Sequence, residues 1–387
     1  MYRIQTLNKI SAKGLDVFPR DGYEIASEFS RPDAILVRSA AMHSMELPAS
    51  LKAIARAGAG TNNIPVERCT KAGIAVFNTP GANANSVKEL VLAGLLLSSR
   101  RISDGIQWTK SLAGRGEEIP ALVETQKSRF AGPELSGKTI GIIGLGSIGV
   151  LVANACASLG MRVIGYDPFI SVDSAWRLTR EVEKAQGLES LLRQCDYLSI
   201  HTPLSDKTRG LLNAERFSFM KPGMRIMNFA RGGLVNNENL IAALRSGQAA
   251  CYVTDFPEDN ILGDPNVIAL PHLGASTPES EENCAIMAAR QIRNFLETGN
   301  IRNSINFPDC VMEPSGKKRL IIANKNIPNM VGQITTVLAE GKINIADLLN
   351  RHQDELAYNI IDIDGELIAD LINKLRAIEG IIMVREI

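Results

Sequence analysis

The sequence predicts an α/β protein: two Rossmann-like, doubly wound parallel-sheet domains followed by a small βαββαβ domain of ferredoxin-like order. Three observations predict it. Short apolar runs alternate with polar helical stretches from Tyr2 to Asn78, the mark of βα units on a parallel sheet. The same alternation restarts at Thr139, where one apolar run feeds directly into Gly144-Leu-Gly-Ser-Ile-Gly149. Beyond residue 318 the pattern changes to strand, helix, two strands, helix, strand.

Each element follows from its own residues. Tyr2–Leu7, Ala34–Arg38, Lys52–Ala57 and Ala75–Asn78 read as the first set of strands. Ser86-Val-Lys-Glu89 has the spacing of a capping box, with Val87, Leu90, Val91 and Leu95 behind it, which predicts a long helix from Ser86. The second series places strands at Thr139–Ile143, Arg162–Tyr166, Tyr197–His201, Arg225–Phe229, Cys251–Phe256 and Val267–Leu270. Residues 308–318 carry turn residues and charge without periodicity and read as a linker. In the last domain, strands are expected at 319–323, 343–350, 356–363 and 381–385, and helices at 329–340 and 367–378.

The glycine run carries the sharpest functional signal. A strand precedes it, a helix from Val150 to Leu159 follows, and a second strand ends on Asp167. Gly144 permits the tight turn, Gly146 lets a pyrophosphate approach the backbone, and Gly149 lets helix and strand pack closely. The helix N-terminus offers unpaired N–H groups to phosphates. Asp167 can accept from the adenosine ribose hydroxyls and would repel a 2′-phosphate, so the expected dinucleotide is NAD rather than NADP.

Composition excludes other classes. Of 387 residues, 42 are Lys or Arg and 42 are Asp or Glu, with no concentrated basic run, so nucleic acid is not an expected partner. The longest apolar stretch, 90–97, is too short to span a bilayer, and residues 1–9 lack a signal-peptide core. The six cysteines are scattered without metal-ligand spacing, which fits reduced thiols in a cytoplasmic protein and no metal site.

Only four histidines are present, so the search for an acid-base group is short. His43 lies in a loop, His201 ends an apolar strand and His352 falls in the last domain. His272 follows the strand 267–270, and carboxyl ends of parallel strands are where ligands bind. His272 is therefore the candidate acid-base. Arg231 follows 226–230 and precedes Gly232-Gly233; its fork could clamp a carboxylate and polarise a carbonyl. Asp255, Glu258 and Asp259 follow the strand between them, and an acid there would hold the His272 tautomer.

Asn228-Phe-Ala-Arg-Gly-Gly-Leu-Val-Asn236, Pro271-His-Leu-Gly-Ala275 and the glycine turn, in that chain context, resemble the D-isomer-specific 2-hydroxyacid dehydrogenases. The resemblance covers essentially the whole chain. It implies an oxidoreductase in which Arg231 and His272 are catalytic with an acidic partner. Thr79, Ser147, Ile148, Asp167, Thr202, Ala230 and Asp255 would join the three glycines around NAD. Val37-Arg-Ser39, the loop Arg56-Ala-Gly-Ala-Gly-Thr-Asn-Asn63 and a C-terminal module similar to an ACT domain point to 3-phosphoglycerate as substrate and to the entry step of serine synthesis. Ala59 and Gly60 would hold its carboxylate, and Arg38 and Ser39 its phosphate. The family's acid motif is altered here to Thr254-Asp-Phe-Pro-Glu-Asp-Asn260, so either Glu258 or Asp259 can be the partner of His272, with the shorter loop favouring Glu258. A reductase of glyoxylate or hydroxypyruvate, or a non-enzymatic NAD-sensing scaffold, are the alternative readings.

The same resemblance implies a discontinuous substrate domain, 1–95 with 286–307, around a nucleotide domain, 96–285, with the helix from Ser86 as hinge and the reaction in the cleft. It implies an ACT-like regulatory domain over 319–387 that binds L-serine through Asn324, Asn326 and Asn344. Two such modules side by side would make the chain a homo-oligomer, a dimer or tetramer.

Overall fold

The computed structural model describes residues 1–387. The chain forms two compact units, Met1–Ala82 with Pro278–Ile387, and Asn83–Thr277.

In the first unit, β1 (Tyr2–Leu7), β2 (Tyr23–Ala26), β3 (Ala34–Val37), β4 (Ala53–Arg56) and β5 (Ala75–Phe77) form a parallel sheet in the order β2-β1-β3-β4-β5. Ala34–Val37 is buried along its whole length, as a strand covered on both faces must be. β2, Tyr-Glu-Ile-Ala, is absent from the sequence reading because a short, half-exposed edge strand leaves no apolar run. The helix Pro278–Thr298 packs Cys284, Ala288, Ile292 and Phe295 into this unit's core.

The second unit carries β6 (Thr139–Ile143), β7 (Arg162–Tyr166), β8 (Val182–Lys184), β9 (Tyr197–Ile200), β10 (Met224–Asn228), β11 (Ala249–Thr254) and β12 (Val267–Ala269). Their order, β12-β11-β10-β9-β6-β7-β8, reverses direction between β6 and β9, which creates a switch-point crevice. β8, Val-Glu-Lys, is a seventh strand beyond the six expected, too polar to stand out in the sequence. The helix expected from Ser86 runs over Ala84–Ser99, and Ser86 is no cap. Its hydroxyl donates to the Asn83 carbonyl at 2.9 Å, and Glu89 accepts from Asn85 at 2.8 Å, because the helix starts one half-turn earlier and puts Ser86 inside its first turn.

The C-terminal module belongs to the first unit. β13 (Lys318–Lys325), β14 (Asn344–Gln353), β15 (Leu356–Asp364) and β16 (Ile381–Glu386) form an antiparallel sheet in the order β14-β15-β13-β16. That is the ferredoxin-like arrangement, with helices Met330–Glu340 and Ala369–Ala377 on one face over Leu320, Ile322, Ile361 and Ile363. The opposite face, Ile321, Ala323, Tyr358 and Ile360, joins Phe295 and Phe307 in the core of the five-stranded domain. The stretch read as a linker is pinned to it. Ile301 and Cys310 exchange backbone hydrogen bonds, and the buried Arg319 guanidinium donates to the carbonyls of Thr298, Met312 and Glu313 while pairing with Asp362 at 2.6 Å.

Candidate active site

The glycine turn follows the carboxyl end of β6, and each glycine is required for a different reason. Gly144 has φ +90°, and a Cβ there would meet the His201 carbonyl oxygen at 2.7 Å. At Gly149 a Cβ would sit 1.9 Å from the Gly144 carbonyl oxygen. At Gly146 a Cβ would meet nothing within 4 Å, so no protein atom explains that glycine. The open approach over Gly146, together with the uncapped N-terminus of the helix Ser147–Ser158, where Ser147 and Ile148 lie, fits a pyrophosphate. Asp167, at the end of β7, accepts from the backbone N–H groups of Leu145 and Phe169, both at 2.8 Å. Those bonds fix its carboxylate beside the turn and leave further lone pairs for ribose hydroxyls.

Beyond the switch point, the remaining candidates follow successive strand ends. After β9, His201 is half-buried; its Nε2 lies 2.8 Å from Ser199 Oγ, and its Nδ1 is shut from solvent with no partner. Burial pushes its pKa down to about 4, so it is a neutral residue rather than the acid-base. The Thr202 hydroxyl beside it is buried and unpartnered.

After β10, Asn228 builds the arginine turn. Its Oδ1 accepts from the Ala230 N–H at 3.2 Å and its Nδ2 donates to the Arg231 carbonyl at 2.9 Å. Arg231 is exposed, with one guanidinium donor on the Ala230 carbonyl at 2.8 Å. Asn228 has a role that the sequence shows only as an asparagine at a strand end before a glycine pair.

After β11 comes Asp255, 1% exposed. Its carbonyl accepts from the His272 N–H at 3.1 Å and its Oδ2 from the Gly274 N–H at 2.9 Å, while Oδ1 has no partner. Burial raises its pKa above the ordinary carboxyl value, against the lowering pull of Gly274 N–H, His272 and Arg231. The orphaned oxygens of Asp255 and Thr202, both on strand ends, fit the polar edge of a dinucleotide.

His272, after β12, is exposed, and its ring packs on Phe256 with centroids 4.8 Å apart. Neither acid expected as its partner is bonded to it. Glu258 accepts from Asn237 Nδ2 at 2.9 Å and lies against the Gly232 backbone, beside Arg231. Asp259 is exposed and opens the short helix Asp259–Leu262. The residue that ties down the histidine loop is Asp255, through backbone bonds that no sequence pattern displays.

In the first unit, Arg56 at the end of β4 organises the substrate-side candidates. Its Nε donates to the Arg38 carbonyl at 2.8 Å and its Nη1 to the Gly60 carbonyl. Asn78 donates to the Ala59 carbonyl at 2.6 Å. With both carbonyls tied off, the loop Ala59–Gly60 offers N–H groups, the donors a carboxylate needs. Asn8 accepts from the N–H groups of Ser39 and Ala40 at 3.1 and 2.7 Å, and Arg38 pairs with Glu281 at 2.5 Å. The Thr79 hydroxyl is buried, and its N–H donates to the Gly58 carbonyl at 3.1 Å.

The three asparagines of the module do not converge. Asn324 is 1% exposed and committed to the sheet, accepting from Asn359 at 2.7 Å and donating to the Lys325 carbonyl at 2.6 Å. It is an interior residue, because the strand runs two residues further than its apolar run. Asn326 donates to the Asp354 carbonyl at 3.2 Å, at one end of the β14–β15 hairpin. Asn344 donates to Asp364 at 2.9 Å, at the other. The ladder between them, Asn344↔Asp364 to Gln353↔Leu356, is roughly 25 Å long at the rise of a strand.

Comparison with known proteins agrees with this geometry. Residues 92–274 match the family described as D-isomer specific 2-hydroxyacid dehydrogenase, NAD binding domain. The chain is 35% identical over 349 residues to a D-3-phosphoglycerate dehydrogenase of Methanocaldococcus jannaschii, covering 88% of this chain and 63% of that protein. It is 34% identical over 335 residues to the protein of the same name from Bacillus subtilis, covering 82% and 61%. The chain thus spans about three fifths of the length of these curated relatives. The crystal structure of NAD+-bound 3-phosphoglycerate dehydrogenase from Entamoeba histolytica superposes with a TM-score of 0.59 at 26% identity, over 79% of this chain and 98% of that one.

Proposed function

We propose that this chain, whose residues 92–274 match the D-isomer-specific 2-hydroxyacid dehydrogenase family, oxidises 3-phospho-D-glycerate to 3-phosphohydroxypyruvate with NAD, the first step of L-serine biosynthesis. The observation that carries the reading is the succession of the Arg231 turn, Asp255 and the His272 loop at neighbouring strand ends, in the sheet whose first turn is cleared for a pyrophosphate. Gly144, Gly146, Gly149, Asp167, Thr202, Ala230 and Asp255 would hold NAD. When bound, NAD supplies the hydride acceptor.

The residues of the chain do the rest. His272 takes the proton of the C2 hydroxyl as general base. The Arg231 fork holds the carboxylate and stabilises the C2 oxygen as it becomes a carbonyl. Ala59 and Gly60 donate backbone N–H groups to the carboxylate, and Arg38, with Ser39, receives the phosphate by exchanging Glu281 for it. Of the two acids, Glu258 suits the role of partner better, since Asn237 holds it against the Arg231–Gly232 turn.

The test is NADH absorbance with 3-phosphoglycerate beside D-glycerate and other unphosphorylated 2-hydroxyacids. Equal or faster turnover of the plain acids would favour a different dehydrogenase of the family. No NADH from any of them would leave the scaffold reading.

We extend the proposal to feedback by L-serine. Because Asn326 and Asn344 stand at opposite ends of one hairpin, one ligand can touch both only where two modules pair side by side in reversed directions, so serine binding and oligomerisation belong together. Calorimetry of the full-length chain with L-serine, with light scattering on the same sample, tests both. Absence of heat and of inhibition at millimolar serine removes the regulatory claim and leaves the catalytic one intact.

A further inference from the structure

The helix Pro278–Thr298 presents a polar face that the catalytic reading does not use. Asn283, Arg290, Gln291 and Asn294 fall on one side of it at helical spacing, and Arg302 and Asn303 come from the loop that follows. They wall a cleft of about 570 Å³ that also touches Gly81 and Ala82.

Two independent features mark this cleft. Its cations are uncompensated: no carboxylate lies in the wall, and neither Arg290 nor Arg302 has an ion-pair partner, whereas the neighbouring Arg293 is paired with Glu297 at 3.0 Å. The acid closest in the loop, Asp309, spends its Oδ1 on the Asn303 N–H at 2.8 Å. Asp16 and Glu297 border an adjoining cleft that shares Arg290 and Asn294 with this one, Asp16 makes no ion pair with Arg290, and Glu297 is taken by Arg293 and Tyr23. The second feature is Gln291, whose amide nitrogen and oxygen are both shut from solvent with no partner. Buried amides in folded proteins are almost always satisfied, so this side chain gains by turning into the cleft it lines, toward a ligand there.

We infer that this cleft binds a small oxyanion of the phosphate or phosphate-monoester class. Two guanidinium forks in a wall with no carboxylate select a doubly charged anion and engage its oxygens in paired hydrogen bonds. Asparagine amides add neutral donors, and the unpartnered Gln291 amide, turned outward into the cleft that its side chain lines, adds a further donor. The site is separate from Arg38 and does not depend on the catalytic proposal.

The probe is inorganic phosphate, measured by equilibrium dialysis on the full-length chain. An Arg38→Gln background removes the phosphate contact proposed for the substrate. The expected result is one phosphate per chain in that background, weakened at least about tenfold by adding Arg290→Gln and Arg302→Gln. Gln291→Leu should raise the melting temperature without phosphate and abolish the rise that phosphate gives. Because Arg302 is exposed on a loop, Arg302→Gln alone keeps the test readable if the combined variant folds poorly. Dialysis that shows no phosphate at tens of millimolar, or affinity unchanged in the arginine variants, overturns the assignment.

Discussion

The backbone N–H of His272 donates to the carbonyl oxygen of Asp255 at 3.1 Å, and two residues on, the Gly274 N–H donates to the Asp255 carboxylate at 2.9 Å. One buried acid thus closes the histidine loop onto the end of β11. His272→Gln should lower kcat by about 10²–10⁴, the usual worth of a general acid-base, while NAD affinity by fluorescence titration stays near wild type. Asp255→Asn keeps an acceptor for Gly274 and should preserve the melting temperature. Asp255→Ala strands that N–H and should destabilise the fold by about 1–3 kcal/mol in urea unfolding. Equal stability of the two Asp255 variants would mean that the bond to Gly274 does not hold the loop.

Asp167 accepts two backbone N–H groups, so its removal has a structural and a recognition cost. Asp167→Ala should weaken NAD and narrow the preference over NADP, because both the ribose acceptor and the repulsion of a 2′-phosphate are lost. The ratio of kcat/KM for the two dinucleotides checks this. An unchanged ratio would reduce Asp167 to a brace for Leu145.

Gly146→Ala and Gly149→Ala separate binding from folding. The first adds a methyl where no protein atom lies within 4 Å, so melting should be unchanged while dinucleotide affinity falls. The second drives a Cβ to 1.9 Å from the Gly144 carbonyl oxygen and should cost on the order of 3 kcal/mol of stability or prevent folding. Thermal melts with and without NAD distinguish the two.

His201 gives the fold a pH dependence. Its pKa falls from 6.5 to about 4 on burial, so the unfolded chain binds this proton more readily than the folded one. Its contribution is complete above about pH 6.5 and is lost as pH drops toward 4, on the order of 3 kcal/mol in all. His201→Gln should flatten the slope of unfolding free energy between pH 6.5 and pH 4. Parallel slopes for variant and wild type would place the sensitive group elsewhere.

The dinucleotide turn was legible because the steric demands at Gly144 and Gly149 admit only glycine, and an apolar strand on either side fixes the context. The strand ends bearing Arg231 and His272 were legible for the same reason: β10 and β12 announce themselves as apolar runs. What surrounds those residues was not. Asn237 and Arg56 act through partners distant in the sequence, Glu258 and the Arg38 carbonyl, and a polar side chain in isolation does not reveal its partner. The helices Ile102–Ser111 and Ile119–Gln126 escaped notice because they bury no residue fully, so no apolar stripe reports them. Asn324 misled in the opposite direction, since an amide beside a turn looks like a ligand donor until the sheet closes over it.

The C-terminal module offers one sheet face to its own helices and the other to the five-stranded domain, where Tyr358 donates to the Gly299 carbonyl at 2.8 Å and Arg385 lies over the Phe295 ring at 4.4 Å. It is therefore no detachable cassette. Scission by a protease at the exposed segment Ser315–Lys317 would nick the backbone yet leave both fragments clasped, and the cleaved chain should still elute as one particle. Amputating residues 318–387 by a stop codon is the harsher operation: it would uncover Phe295, Phe307 and Ile301 at once, and the shortened chain should be recovered as aggregate rather than as a folded two-domain protein.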